Sequence, residues 1–171
     1  MTEPDAHPPA APRPSLLAGA GMLVAVFAFS ALWVVIAGGV LHLHSFFASF
    51  VFAWYWGVMD RMEFNRLAPA LLGSLVGVAL AWQLNYLSAH YGAHGLAAGV
   101  AIIAVAVFIQ FMQWAPMLVN LGGMLLLAIL TAPQFTHTNF MDVGETIAAS
   151  AVYLSVLVFI IKRIMAARAK A

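Results

Sequence analysis

The sequence contains no cysteine and few charged residues. The absence of cysteine excludes disulfides, thiolate metal sites, iron–sulfur clusters and cysteine nucleophiles. Only 8% of the 171 residues are charged and 64% are hydrophobic, whereas a soluble domain carries about 25% charged residues. So few polar side chains cannot cover a surface that faces water, which excludes a soluble enzyme and a disordered protein. The net charge of +1 indicates no nucleic-acid partner.

The sequence also lacks the short motifs that mark common catalytic and cofactor sites. It has no P-loop, no dinucleotide-binding glycine fingerprint, no nucleophile elbow and no H-E-x-x-H zinc motif. No charged residue lies well inside a long apolar run, which argues against a carrier that relays protons through intramembrane carboxylates. We therefore expect no cofactor, and an enzyme is the less favoured class.

What the sequence does have is a series of long apolar runs. About 20 apolar residues form one membrane-crossing helix, and glycine, proline and polar clusters divide this chain into six such runs. The pattern predicts an all-α, polytopic integral membrane protein with six transmembrane helices at residues 16–37, 46–59, 67–87, 96–113, 117–132 and 143–164. Residues 1–15 are predicted to be a disordered cytoplasmic lead, 16–165 the transmembrane domain and 166–171 a basic cytoplasmic tail.

The basic residues indicate how these helices are oriented. With six spans, every lysine and arginine falls on one side of the bilayer, and basic residues favour the cytoplasmic side. Both termini are then cytoplasmic, and we expect a multi-pass protein of the cell inner membrane whose surroundings are the lipid bilayer. The residues that set this orientation are Arg13, Arg61, Arg66, Lys162, Arg163, Arg168 and Lys170.

Five histidines are predicted to lie together at the outer face. His42 and His44 form an H-x-H pair, whose rings point to the same face if the segment is extended. His90 and His94 are four residues apart, which places both on one face if that segment is helical. Imidazole groups suit divalent transition metals. The alternative is that histidine is simply tolerated at the membrane interface. The candidate metal ligands are His42, His44, His90, His94 and His137.

Two further interpretations concern the same outer segments. The stretch from Asp142 to Glu145 is typical of a helix start, with Asp142 as N-cap and Glu145 at the third helical position. Histidine also changes its charge between about pH 5 and 8, so the outer histidines could gate a pore in response to pH.

Amide side chains near the ends of the apolar runs are candidates for a solute pathway. Such groups line pathways for small neutral solutes, or they form hydrogen bonds between helices. The pathway candidates are Gln83 and Asn85 towards the outer side, and Gln110, Gln113 and Asn120 towards the inner side.

Pairs of glycines four residues apart predict close helix packing. Gly73 and Gly77 lie in the third predicted span, and Gly95 and Gly99 at the start of the fourth. Small residues at this spacing let helix backbones approach closely. Because the two spans are neighbours in the chain, the plain interpretation is a tight antiparallel hairpin. A contact between copies in a homo-oligomer is the alternative.

The second half of the chain resembles a known family of small bacterial inner-membrane proteins. It has an apolar run ending near Trp114, then Ala115-Pro116, a following span with Gly122-Gly123, a short outer loop and a final span rich in alanine and serine. With the segments 46–59 and 73–77, this pattern resembles domain-of-unknown-function family 1097 over most of residues 16–165. The histidine-rich loops depart from that pattern. The resemblance implies the membrane location and no particular activity.

These observations predict a channel or transporter for a small solute that forms a homo-oligomer. One alternative is a membrane metalloprotein that holds a divalent transition metal at the outer histidines. The other is an accessory subunit that packs against partner subunits of a larger membrane complex.

Overall fold

The computed structural model describes residues 15–135 and 137–168, and these residues form helices, turns and loops without a β-strand. Most of the predicted lead and the last three residues of the tail lie outside the described residues. The principal helices are α1 (Leu16–Val34, continued by a π-helical segment Val35–Val40), α2 (Phe46–Trp54, continued by a π-helical segment Tyr55–Met59), α3 (Phe64–Phe111), α4 (Leu121–Leu130) and α5 (Phe140–Arg168). A 3₁₀ turn, Pro133–Phe135, precedes α5.

Helix α3 contains two of the predicted spans, joined at a single glycine. Gly92 adopts φ 57° and ψ −135° inside the helix, a conformation that glycine tolerates because it has no Cβ. The break divides α3 into α3a (residues 64–91) and α3b (residues 93–111). Leu87 and Gly95, on either side of it, lie against each other. The two halves therefore form a hairpin, and helix extends almost to its tip, where the sequence predicted a longer loop.

Helix α4 begins later than predicted. Val119 donates its backbone N–H to the carbonyl of Ala115 at 2.8 Å, which closes a turn before the helix. The 10 residues of α4 then start at Leu121 instead of residue 117. At about 1.5 Å per residue, α4 is only about half as long as the roughly 30 Å hydrocarbon layer.

Within the described residues, three helical segments are long and apolar enough to cross a membrane. They are Gly19–Val40, Phe64–Phe111 with both halves of its hairpin, and Phe140–Arg168, and their mean hydropathies are 2.4, 2.2 and 2.0. The segments Phe46–Met59 and Leu121–Leu130 are apolar but shorter. The predicted helical class is therefore confirmed in its coarse form: the described chain is a helical bundle of the composition and helix length of a membrane protein.

The core lies between α2, α3a, α4 and α5, and α1 lies at its edge. The completely buried side chains there include Phe52 of α2, Ala70 of α3a, Leu126 of α4 and Ile147 of α5. Leu16 at the start of α1 is, by contrast, 95% exposed. Residues from four different helices thus form one apolar core, whereas α1 contributes little to it.

Among the described residues, the basic side chains lie at one end of this bundle and the histidines at the other. At one end the carboxylate of Asp142, in the first turn of α5, contacts the backbone of His44 just before α2. At the other end the Lys162 ammonium donates to the carbonyl of Met62, after α2, at 3.1 Å. We call these the histidine end (His42, His44, His90, His94, His137) and the basic end (Arg61, Arg66, Lys162, Arg163, Arg168).

Candidate functional site

The start of α5 is built by Asn139. Its Oδ1 accepts the backbone N–H groups of Met141 at 3.1 Å and Asp142 at 3.4 Å, which satisfies donors that a helix N-terminus otherwise leaves unpaired. The prediction that Asp142 is the N-cap is therefore wrong. Asn139 caps the helix one turn earlier, so Asp142 occupies the third helical position.

Because Asp142 does not cap α5, its carboxylate is available to connect α5 to the segment just before α2. Both of its oxygens lie 3.2 Å from the backbone nitrogen of His44, which donates to them. The His44 Nδ1 atom lies 3.9 Å from Asp142 Oδ1. The Asp142 side chain is 14% exposed and the His44 side chain 84% exposed. The positive end of the α5 dipole favours a carboxylate at this position.

Around this contact the histidine end contains a polar recess. Its volume is about 530 Å³, and it lies between the start of α2 and the connection from α4 to α5. We call it the outer recess. It is lined by His44, Ser45, Phe47, Gln134, Phe135, Thr138, Asn139 and Asp142. The rings of Phe47 and Phe135 pack with centroids 4.7 Å apart.

Most of the lining residues of the outer recess were not among the predicted site residues. Only His44 was. The available signal was the polar composition of residues 133–140, PQFTHTNF, which is the longest polar connection in the chain. That composition does not reveal that the loop closes against residues 44–47, because the contact joins positions about a hundred residues apart.

The predicted histidine set does not converge on one point. His42 adopts a left-handed conformation, φ 55°, so the H-x-H segment is not the extended strand that would place both rings on one face. The break at Gly92 separates His90 from His94. Among residues 15–135 and 137–168, no group of three or more histidine, aspartate or glutamate side chains is close enough to hold a metal. Metal binding stays a prediction.

His90 belongs to an aromatic ladder along α3a. The rings of Trp82 and Tyr86 stack at 5.4 Å, and those of Tyr86 and His90 at 4.1 Å. The Nδ1 atom of His90 lies 2.9 Å from the carbonyl of Tyr86, so the ring is held against its own helix. All three side chains are exposed. They form an apolar stripe on the outside of the hairpin.

The pathway candidates have separate environments. Asn120 caps α4 by accepting the Gly123 N–H at 3.2 Å, and it donates to the carbonyl of Pro69 in α3a at 2.7 Å. Gln113 Nε2 donates to the carbonyl of Gln110 at 2.7 Å. None of the five candidates, Gln83, Asn85, Gln110, Gln113 and Asn120, lines the outer recess.

Gln83 lies inside the hairpin. Both ends of its amide are buried without a hydrogen-bond partner among the described residues, and its Nε2 atom is close to Gly99 of α3b. The Asn85 side chain is partly buried two residues further on. Neither of these two amides lines the outer recess.

The four predicted packing glycines lie at two different contacts. Gly95 lies against the backbone of Leu87, and a methyl group at Gly99 would come within 2.7 Å of Leu84 Cδ1. Both contacts are inside the α3 hairpin. Gly73 and Gly77 instead contact α4, where a methyl group at Gly77 would collide with the carbonyl of Gly123. This differs from the expectation that both pairs meet in the hairpin.

No family model matches this chain, and neither a curated protein nor a solved structure matches it. The resemblance to domain-of-unknown-function family 1097 therefore stays a prediction.

Proposed function

We propose that this protein is a channel or transporter that admits a small polar solute through the outer recess. The observation that carries the proposal is the recess itself, a cavity of about 530 Å³ lined mainly by polar side chains on an otherwise apolar bundle. Binding sites for small molecules have volumes of about 300–1,000 Å³ and a few polar groups that fix orientation.

The chemistry of the lining favours a neutral or cationic solute. Gln134 and Asn139 supply amide groups, Ser45 and Thr138 supply hydroxyls, and Asp142 supplies a carboxylate. None of the described lysine and arginine residues lines the recess. An anionic solute would therefore meet a negative charge with no fixed cation to compensate for it.

Transport requires the bundle to open, because apolar side chains fill the space between the helices. Val143 and Ile147, on the first turns of α5, are completely buried, and so is Leu126 of α4. Movement of α4 is the simplest way to open a route, since this short helix ends in the connection that lines the recess. The amides of Gln110 and Gln113, beyond the recess, then belong to the opposite side of the route.

We also propose the membrane arrangement that this function needs. It comprises six membrane-crossing segments, of which the fifth is formed by the short helix α4 together with the turn at Ala115–Val119 and the connection after Leu130. Both termini are on the cytoplasmic side of the inner membrane and the outer recess is on the other side. Gly73 contacts Asn120 and Gly77 contacts Gly123, so α3a and α4 run in the same direction, as the third and fifth of six spans must. The exposed aromatic ladder of α3a supports a homo-oligomer, because it offers a continuous stripe for packing against a second copy.

Flux measurements in proteoliposomes test the proposed function. We expect uptake of at least one of glycerol, urea, methylammonium and choline to exceed that of protein-free liposomes. Replacing the carboxylate of the recess, Asp142→Asn, should lower the uptake of the cations by about tenfold, since a hydrogen bond to a charged group contributes about 1.5–3 kcal/mol.

The matched control is Glu145→Gln, because Glu145 is exposed on the next turn of α5 and does not line the recess. It should transport as the unchanged protein does. Equal uptake with and without protein for every solute would refute transport of this class. Equal losses in the two variants would show that the recess is not the binding site.

A further inference from the structure

A second cavity, opposite in character to the outer recess, lies beside α1. Helix α1 contacts α5 where the Trp33 and Tyr153 rings pack at 5.1 Å and where the Tyr153 hydroxyl donates to the carbonyl of Phe29 at 2.9 Å. Nearer the basic end, a groove of about 440 Å³ opens between α1, α2 and α5. We call it the α1 groove.

The walls of the α1 groove suit a hydrocarbon chain. Phe29 of α1, Phe50 of α2 and Leu157 of α5 line it, and its few hydroxyl groups come from Tyr153 and from serines such as Ser150. Ser150 already donates its hydroxyl to the carbonyl of Ile147. A polar solute would find few hydrogen-bond partners on such a surface, whereas an acyl chain makes dispersion contacts with it along its whole length.

The mouth of the α1 groove carries a positive charge. Met62 and Ile161 line the groove, and their chain neighbours are Arg61 and Lys162. The Lys162 ammonium is held there by its bond to the Met62 carbonyl and by the Phe64 ring, whose centroid is 5.0 Å away. Among the described residues no carboxylate forms an ion pair with Lys162. The ammonium is therefore free to pair with an external anion.

The surroundings of the mouth have the same sign of charge. The described residues of the basic end include five basic side chains, and the acidic residues nearby in the chain are Asp60 and Glu63. Burial raises the pKa of Asp60 above its ordinary value, and the neighbouring Glu63 raises it further, against the lowering effect of Arg66. Five basic side chains against two acidic ones leave this end of the bundle with a net positive charge, which attracts an anionic headgroup.

We propose that the α1 groove is a binding site for one anionic phospholipid. One acyl chain occupies the groove between α1, α2 and α5, and the phosphate pairs with Lys162 at the mouth. A phospholipid is the occupant that fits both features, because it joins a long apolar chain to a negative charge at the depth where the groove meets the interface. The bound lipid fills the space that separates α1 from the rest of the bundle.

Native mass spectrometry of the detergent-purified protein tests this site. The protein is mixed with equal amounts of phosphatidylglycerol and phosphatidylethanolamine that carry the same acyl chains. We expect one retained lipid, with about a fivefold preference for phosphatidylglycerol. Both lipids carry a phosphate, but the ammonium group of phosphatidylethanolamine compensates for the charge of its own phosphate, and phosphatidylglycerol has no such group. Lys162→Ala should abolish the preference, whereas Arg168→Ala, six residues further along α5, should keep it.

A second pair of variants tests the groove itself. Ala25 lines the groove, and Ala28 is exposed on the same helix without lining it. Ala25→Phe should lower the retention of both lipids several-fold, and Ala28→Phe should leave it unchanged. Equal retention of the two lipids by the unchanged protein would overturn the proposal. Equal lipid retention by Ala25→Phe and Ala28→Phe would contradict it as well. Loss of a dimer instead of a lipid in Ala25→Phe would also overturn it, because a second copy would then fill the groove.

Discussion

Replacement of Gly77 by alanine is expected to lower the melting temperature of the purified protein by about 2–12 °C. A methyl group at this position would collide with the backbone carbonyl of Gly123, and a backbone atom cannot move aside as the tip of a side chain can. Helices α3a and α4 must then separate, and overpacking of this kind typically costs about 1–3 kcal/mol. In a protein of this size each kcal/mol corresponds to about 2–4 °C.

The control for this substitution is Gly21→Ala in α1, where a methyl group would meet no atom within 4 Å. Alanine is a better helix former than glycine, so this variant should be at least as stable as the original protein. The measurement is the temperature at which half of the monodisperse peak is lost on size-exclusion chromatography. Equal melting temperatures for the two variants would contradict the close packing of α3a on α4.

The second large effect is expected at Asn120, which forms two hydrogen bonds at the same helix contact. Asn120→Ala removes the N-cap of α4, which is worth about 1 kcal/mol. It also removes the bond to the Pro69 carbonyl, which contributes about another 1 kcal/mol. We expect the combined loss to lower the melting temperature by about 4–8 °C.

Asn85→Ala is the matched control for Asn120→Ala. Both are partly buried amides, but the side chain of Asn85 makes no hydrogen bond to the described residues. Its replacement should change the melting temperature by less than about 2 °C. If Asn85→Ala lowered the melting temperature as much as Asn120→Ala does, the two hydrogen bonds of Asn120 would not be what stabilises the contact. Asn120 would then be better explained as a pathway residue.

The positions of the helices could be predicted because each apolar run is long and its ends are marked. The structure places helices within all six runs, and the largest differences occur where a local motif decides the boundary. Asn139 caps α5 before the acidic residues that looked like its start, because an amide at that position reaches the first helical N–H groups. Helix α4 likewise begins later than predicted, because the chain first forms the turn at Ala115–Val119 and Asn120 then caps the helix.

The partners of each helix could not be predicted, because spacing within one segment does not identify the segment that packs on it. The pattern of Gly73 and Gly77 indicated a close helix contact. It did not indicate that α4 makes the contact, with Gly122 of the same helix lying against the Tyr55 ring of α2. Long-range choices of this kind depend on which apolar faces fit together in the folded bundle.

The outer recess could be predicted even less well than the helix contacts, because it is formed by two segments that are distant in the sequence. Residues 134–142 and 44–47 are far apart in the chain, and they are joined by the contact of His44 with Asp142 and by the packing of Phe47 on Phe135. The sequence placed these histidine and acidic residues at one face of the membrane from the distribution of lysine and arginine. It could not distinguish a metal site formed by five histidines from a recess in which one histidine borders amides, hydroxyls and a carboxylate.

The orientation of the two bundle ends is tested most directly by labelling single cysteines in intact cells. The chain has no cysteine of its own, so His44→Cys and Arg163→Cys each introduce one reactive site at an exposed position. With a membrane-impermeant maleimide, we expect labelling at position 44 in intact cells and at position 163 only after permeabilisation. Labelling of both positions from the same side, or in the reverse order, would contradict a membrane bundle whose outer recess faces away from the cytoplasm.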